Sequence, residues 1–430
     1  VTTDAQTDAQ FVAPSLGLKL LILSGGPAVT LAISGVSVAL PKIEAALAHS
    51  DQDKFLVKML IGIVGAAMVI GAPLTGFLAD RFGLRRVLFT NYLFFLLAGT
   101  AGLYLNSLEG LVLARFVLGV AGAGAVTSSI IIINQKLAPQ HRAQWMGGYI
   151  AMAFIGAIVV FPLAGFLAER NWHLTFLIYL YGLPLALLAL TSIPPGIAPA
   201  PAASTLGTAE EEKLLSWIPY SLMLLGLLIG CISYLPTIYT PFILAKMDIG
   251  PKMISMVLLG ETLTGTFMAL LFGRSQRYFS PSGAFAVAYL TTGIGGVITG
   301  LATNYWGVFV GMAFIGLGTG WFMPNLMMVL GGRVKVHQQG RAAGIVKGVT
   351  YLSTPVCILL TERLSQLYGP RIPLLIAGAL SFTLFALEIY KKRSVQGMLG
   401  RPWFESKGGV QSDLSTPDGS HLRLVPRDPL

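Results

Sequence analysis

Charge is scarce in this chain. Lys, Arg, Asp and Glu together make up 11% of its 430 residues, against 54% hydrophobic residues. A water-soluble domain carries roughly a quarter charged residues, so this composition excludes a soluble fold. Cysteine is almost missing. The only two, Cys231 and Cys357, stand in separate apolar segments, which excludes a disulfide framework or a cysteine metal cluster and suits small buried hydrophobes. Gly-rich phosphate loops, metal-ligand clusters and nucleophile elbows are also missing, so neither catalysis nor ATP hydrolysis has machinery. No enzyme activity, cofactor or metal is expected. The opening VTTDAQTDAQ has no basic flank of the signal-peptide kind, so the first apolar helix is expected to stay. The net charge of +10 is spread over short loops and forms no single basic stripe, so nucleic acid is not an expected partner.

What is plentiful is apolar sequence. A helix needs about 20 apolar residues to cross a hydrocarbon core of ~30 Å. Charged or Gly/Pro-rich breaks delimit twelve such stretches, near 17–41, 55–79, 87–107, 109–135, 145–168, 174–193, 216–240, 252–273, 283–303, 305–330, 341–361 and 371–390. An even number places both termini on one side of the bilayer. The loops on that side carry Arg81, Arg85, Arg86, Lys136, Arg142, Arg274, Arg277, Arg333, Lys335, Arg341 and Lys391 to Arg393. The opposite loops carry fewer basic residues, with Lys54 and Lys58 among them, so the positive-inside rule predicts cytoplasmic termini in a plasma membrane. Trp145, Trp172, Trp217 and Trp306 fall at predicted span ends, as an aromatic belt requires.

A Pro- and Ala-rich polar interruption follows the sixth stretch and reads as a flexible linker. The predicted organisation is an N-terminal tail at 1–16, a six-helix bundle at 17–193, a linker at 194–215, a second six-helix bundle at 216–393 and a disordered tail at 394–430. HRAQWMGGYIAMAFIG, opening the fifth stretch, is echoed by GRAAGIVKGVTYLSTP, opening the eleventh; the charged ends AERNWHLTFLI and TERLSQLYGPRIPLLI correspond in the same way. Two duplicated bundles joined by a linker suit a transporter that rocks about a site at their interface.

Between the second and third stretches lies GFLADRFGLRR. Gly76, Leu78, Asp80, Arg81, Gly83 and Arg85 resemble the loop signature of the major facilitator superfamily, with Leu84 replacing one of its closing basic residues and Arg86 supplying charge one place late. Arg115 and Gly119, in LVLARFVLGVAGAGA, are similar to that family's fourth-span pattern, and SVALPKI and NWHLTF are similar to two of its turns. The resemblance covers roughly 17 to 393, strongly in the first half. It implies an all-α membrane fold of twelve helices in two pseudo-symmetric bundles, and a latch at the 76–86 loop that ties the halves together. We expect Asp80 to dock on the positive start of the eleventh helix near Gly340 to Ala343, with Arg81 and Arg85 completing a charge cluster.

An ionisable group at bilayer depth calls for a partner or a task. Glu261 lies nine residues after Lys252 and thirteen before Arg274, about 13 and 20 Å along a helix and hence near the midplane. Thr264, Gly265 and Met268 share its face, which suits a cavity wall where a carboxyl takes and releases a proton. The alternative is a Glu hydrogen-bonded for packing. Arg115, on a face with Gly119, either attracts a charged solute or enters an ion pair, or snorkels to the interface; its counterpart in drug exporters of the family is linked to proton coupling. Lys347 is a further candidate for a charged role, and it too can snorkel. Tyr234 and Thr237, near Pro236, are candidate cavity residues. The antiporter signature of the family survives in the fifth stretch only as Pro162 and Gly165, which are candidates for helix flexing and packing.

These features predict a monomeric secondary transporter whose partners are a small organic or amphipathic solute, protons and lipid. Proton-coupled efflux is the leading expectation. The alternatives are a proton symporter importing an organic anion through Arg115 and Glu261, and a non-transporting membrane receptor or scaffold.

Overall fold

A computed structural model describes residues 15–137, 139–193, 220–334 and 339–399. The predicted linker at 194–215, Trp217 and the tail beyond 399 lie outside the described residues. Twelve helices are long and apolar enough to cross a membrane. In chain order spans 1 to 6 are Leu16–Leu47, Asp51–Phe82, Leu84–Leu103, Leu108–Gln135, Gln144–Arg170 and Trp172–Ser192. Spans 7 to 12 are Tyr220–Ala245, Pro251–Ser275, Pro281–Leu301, Tyr305–Gly331, Ala342–Tyr368 and Ile372–Tyr390. Among the described residues there is no strand.

Spans 2 and 11 are longer than expected, because charged residues that stop a hydropathy reading are carried within the helices. The last helix also continues to Leu399, past the expected boundary at 393, since Lys, Arg, Gln, Met and Leu after Tyr390 are strong helix formers. Span 1 is broken. Its first helix ends at Ser34, a short 3-10 turn covers Ser37–Ala39, and a second helix starts at Leu40 with Pro41 in its first turn, where proline costs no hydrogen bond. Gly83, in the loop between spans 2 and 3, has φ 83°, a left-handed conformation that a side chain makes costly.

The packing repeats with a period of six spans. Span 2 packs on span 4 and span 8 on span 10; spans 1 and 5 pair as spans 7 and 11 do; spans 3 and 6 pair as spans 9 and 12 do. Two bundles of matching topology therefore face each other, and they meet mainly where span 2 touches span 11 and span 5 touches span 8. A twofold exchange of the bundles converts one of these contacts into the other. Small residues set the distances. A Cβ at Gly62 or Gly65 of span 2 would strike Ile358, Pro355, Tyr351 or Thr354 of span 11, and one at Gly165 of span 5 would strike Ser255 of span 8.

Those contacts lie toward the face opposite the termini. Toward the terminal face the same four spans diverge: a Cβ at Gly76, Gly147, Gly273, Gly344 or Gly348 meets nothing within 4 Å. The molecule is closed on the face opposite the termini and splayed on the terminal face.

Candidate functional site: a central cavity between the bundles

A cavity of about 300 Å³ lies between the two bundles. Its first-half wall is Thr30 and Ser34 of span 1 with Phe154, Ala157 and Phe161 of span 5; its second-half wall includes Ser233, Tyr234 and Thr237 of span 7, Glu261 and Thr262 of span 8, and Thr319 of span 10. Two phenylalanines, a tyrosine and a set of hydroxyls make the wall apolar with a few polar points, the usual character of a small-molecule site.

Glu261 is the sole ionisable acid or base of Asp, Glu, Lys, Arg or His type among the lining residues. Its carboxyl has neither a hydrogen bond nor an ion pair among the described residues. The backbone around it is held firmly. Gly316 and Gly320 of span 10 lie so close to span 8 that a Cβ on either would collide with the Glu261 or Gly265 carbonyl. Thr264 adds a hydrogen bond from Oγ1 to the Ala313 carbonyl at 3.0 Å, and Trp321 Nε1 donates to the Met268 carbonyl at 2.8 Å. The structure brings Tyr234, Thr237 and Glu261 together in the wall of this cavity. Thr264 and Met268 are not among its lining residues: they join span 8 to span 10, because their side of the helix turns toward that neighbour.

Arg115 is 1% exposed and does not line the cavity. It neither snorkels nor finds a carboxylate. Its Nε donates to the Leu60 carbonyl at 2.9 Å and Nη2 to the Ala32 carbonyl at 2.7 Å, while Nη1 donates to the Tyr179 hydroxyl. Tyr179 in turn donates to the Leu31 carbonyl at 2.9 Å. The break in span 1 explains this arrangement. The last carbonyls of a helix lack intrahelical partners and carry partial negative charge, and Arg115 with Tyr179 supplies their donors. The segment so capped also carries Thr30 and Ser34 into the cavity wall. Gly119, one turn on, lets span 4 lie directly on Val64 and Ala67 of span 2.

Lys347 is half-buried, with Nζ 5.9 Å from the ring centres of both Tyr149, in the opposite bundle, and Tyr351. That is cation–π range, and no carboxylate pairs with it among the described residues. Pro162 lies within a continuous helix beside the cavity residue Phe161, and Gly165 is a bundle-to-bundle contact point.

The 76–86 loop does not form the expected latch among the described residues. Asp80, Arg81 and Arg86 are exposed, and Arg85 is half-exposed. Asp80 pairs with none of the described residues, Arg81 stacks 5.6 Å from the Phe82 ring, and the expected charge cluster is not made. The side chains at the expected docking point on span 11, 340 and 341, lie outside the described residues. Trp172 also departs from expectation: it is buried and stacked on His173, not displayed to lipid. Cys231 and Cys357 are free and buried, as expected, and the Cys231 thiol reaches across from span 7 to the Ser353 carbonyl of span 11 at 3.8 Å.

Sequence reasoning missed a polar cluster on the closed face. Lys58 is 4% exposed and Glu362 3% exposed, and they pair at 3.0 Å between spans 2 and 11. Lys58 also reaches Glu44 at 3.2 Å. Glu362 further accepts from Tyr239 at 3.0 Å and from Gln366 at 3.1 Å. Lys58 was counted as a loop residue and span 11 was ended at 361. The available signal was Lys54 and Lys58 one helical turn apart.

Twelve membrane spans, two bundles of matching topology and a solute-sized cavity at their interface define a membrane transporter of the two-bundle, rocking type. The sequence matches the Major Facilitator Superfamily over residues 23–260 and 221–403, and the chain belongs to that family. It is 21% identical over 319 residues to the quinolone resistance protein NorA of Staphylococcus aureus (strain COL), covering 72% of this chain and 81% of that one. It is 33% identical over 147 residues to the putative multidrug resistance protein MdtD of Salmonella typhi, covering 33% of this chain and 30% of that protein. Among solved structures it is similar to a D-xylose-proton symporter, with TM-score 0.72, 14% identity and coverage of 86% of this chain and 96% of that one.

Proposed function

We propose that this member of the superfamily exports small organic solutes with a substantial apolar body in exchange for protons, acting as a monomer with both termini in the cytoplasm of a plasma membrane. The observation that carries this reading is the lone, unpaired carboxyl of Glu261 in an otherwise uncharged, aromatic-lined cavity between the bundles. A carboxyl in that position can hold a proton in one orientation of the bundles and yield it, or exchange it for a solute's positive charge, in the other. Similarity to the resistance proteins NorA and MdtD supports the outward direction, and the basic residues of the terminal-face loops support the orientation. Import of an organic anion receives less support, because Arg115 was its proposed anion partner and is committed to carbonyls and a tyrosine.

Proteoliposomes with an imposed pH gradient test the reading. A lipophilic organic cation such as ethidium is expected to accumulate in the compartment from which protons flow. Glu261→Gln is expected to lower gradient-driven accumulation at least about tenfold while ethidium still binds. Accumulation in the direction of proton flow, or full activity of Glu261→Gln, would overturn it.

A further inference from the structure

The closed face is held by more than packing. Glu362, near the far end of span 11, crosses to span 2 and pairs with Lys58. Four residues on, Gln366 donates to the Asp51 carbonyl in the first turn of span 2 at 2.9 Å. On the other side of the pseudo-twofold axis, Glu169 near the end of span 5 crosses to span 8. Its Oε2 accepts from the Lys252 backbone N–H at 3.1 Å. That donor is one of the unpaired N–H groups of a helix start, which carries partial positive charge, and the N-cap residue, Gly250, has no side-chain cap of its own. A Cβ at Gly250 would lie 2.8 Å from both Glu169 oxygens, so glycine there leaves room for the carboxylate. The charged span ends AER at 168–170 and TER at 361–363 correspond in sequence, which sets Glu169 against Glu362. The two inter-bundle contacts are thus versions of one device, each a span end gripping the start of a span in the opposite bundle.

We propose that Glu169 and the Lys58–Glu362 pair are the gate of the transporter on the face opposite the termini, two clamps that must both release before the central cavity opens to that side. The surroundings suit release. A second cavity of about 480 Å³ lies over the Lys58–Glu362 pair, lined by Glu44, Lys54, Lys246 and Gln366 among others, so water and ions reach it. Both members of the Lys58–Glu362 pair have partners within their own bundle to fall back on, and Glu169 is exposed to solvent. Lys58 keeps Glu44 from span 1, and Glu362 keeps Tyr239 and Gln366. Glu169 leaves span 8 with its main chain still held by Lys42, whose Nζ donates to the Glu169 carbonyl at 2.8 Å. The clamps can part without stranding a buried charge, whose exposure to an apolar interior would otherwise forbid opening. The Glu169 clamp grips the same helix that carries Glu261, so the state of this gate is passed to the cavity through one rigid element.

This inference rests on the alternating-access reading and is tested by a measurement that does not use transport. A reporter cysteine replaces Thr237 in a full-length chain with Cys231→Ala and Cys357→Ala, and a membrane-impermeant maleimide is applied from each face. The parent is expected to label predominantly from the terminal face. Glu362→Gln, which leaves Lys58 with Glu44, and Glu169→Ala, at an exposed position, are each expected to raise labelling from the opposite face about tenfold or more. Parent-like sidedness in both variants, with or without a lowered melting temperature, would assign the residues to stability alone and overturn the gate. Labelling from neither face in the parent and all variants would instead fail the alternating-access reading, and the gate with it.

Discussion

Glu261 and Arg115 both place a charge-bearing group deep in apolar sequence, and their surroundings give them opposite roles. Glu261 lines a cavity with no counter-charge among its lining residues, the observation on which the proposed proton exchange rests. Arg115 is committed to the Ala32 carbonyl at the broken end of span 1, the Leu60 carbonyl of span 2 and the Tyr179 hydroxyl. Replacing Arg115 with Met is expected to leave the Tyr179 hydroxyl and these two carbonyls with one donor fewer and to destabilise the protein by roughly 2–4 kcal/mol, partly offset by removal of a buried charge. A fall of several degrees in the thermal unfolding midpoint in detergent would register it. Arg115→Lys is expected to recover little, because an ammonium cannot span donors fixed by a planar guanidinium. If Arg115 were a solute-binding group, Met would instead weaken binding with the midpoint unchanged.

At the level of elements, Glu261 is positioned by glycine faces and not by its own contacts. Span 10 presents Gly316 and Gly320 to span 8, so the two backbones approach until carbonyls meet glycines, the close small-residue packing that membrane interiors favour. Gly320→Val is expected to push the spans apart at the Gly265 carbonyl and cost roughly 1–3 kcal/mol. Because Thr319 and Gly320 also line the cavity, the same change is expected to reduce solute binding, measured by quenching of Trp321 or by thermal shift with ethidium. Gly83→Ala is a gentler test. It loads a backbone at φ 83° and is expected to cost about 1 kcal/mol, visible in stability before transport.

The whole molecule has two mouths closed by related means, one seen shut and the other seen open. On the face opposite the termini, carboxylates grip the opposing bundle. On the terminal face, we propose that Asp80 at the end of span 2 does the same to the start of span 11 when the bundles rock. Asp80 has no partner among the described residues in the present conformation. Asp80→Asn is therefore expected to leave expression and melting temperature unchanged while lowering transport severalfold, by weakening only the alternate state. It is also expected to increase the fraction labelled from the terminal face at the Thr237→Cys reporter. Normal transport by a well-folded Asp80→Asn protein would remove the latch from the cycle.

Sequence alone was enough for the twelve crossings and the division into six and six, because each depends on local quantities: apolar run length and the cost of charge in hydrocarbon. The loop signature at 76–86 further identified the family. Tertiary structure decided which charges are paired. Lys58 and Glu362 are 304 residues apart, and a hydropathy reading assigns each to a loop because it treats a charge as a stop, whereas a partner from the opposite bundle makes it a tolerable part of the span. The same holds for Arg115, whose partners are a carbonyl at the helix break in span 1, a carbonyl of span 2 and the Tyr179 hydroxyl, and for Thr264 and Met268, whose face is shared with Glu261 in the helical wheel but turns onto span 10 in space. Helical periodicity says which residues lie on one side of a helix; only packing says what that side faces.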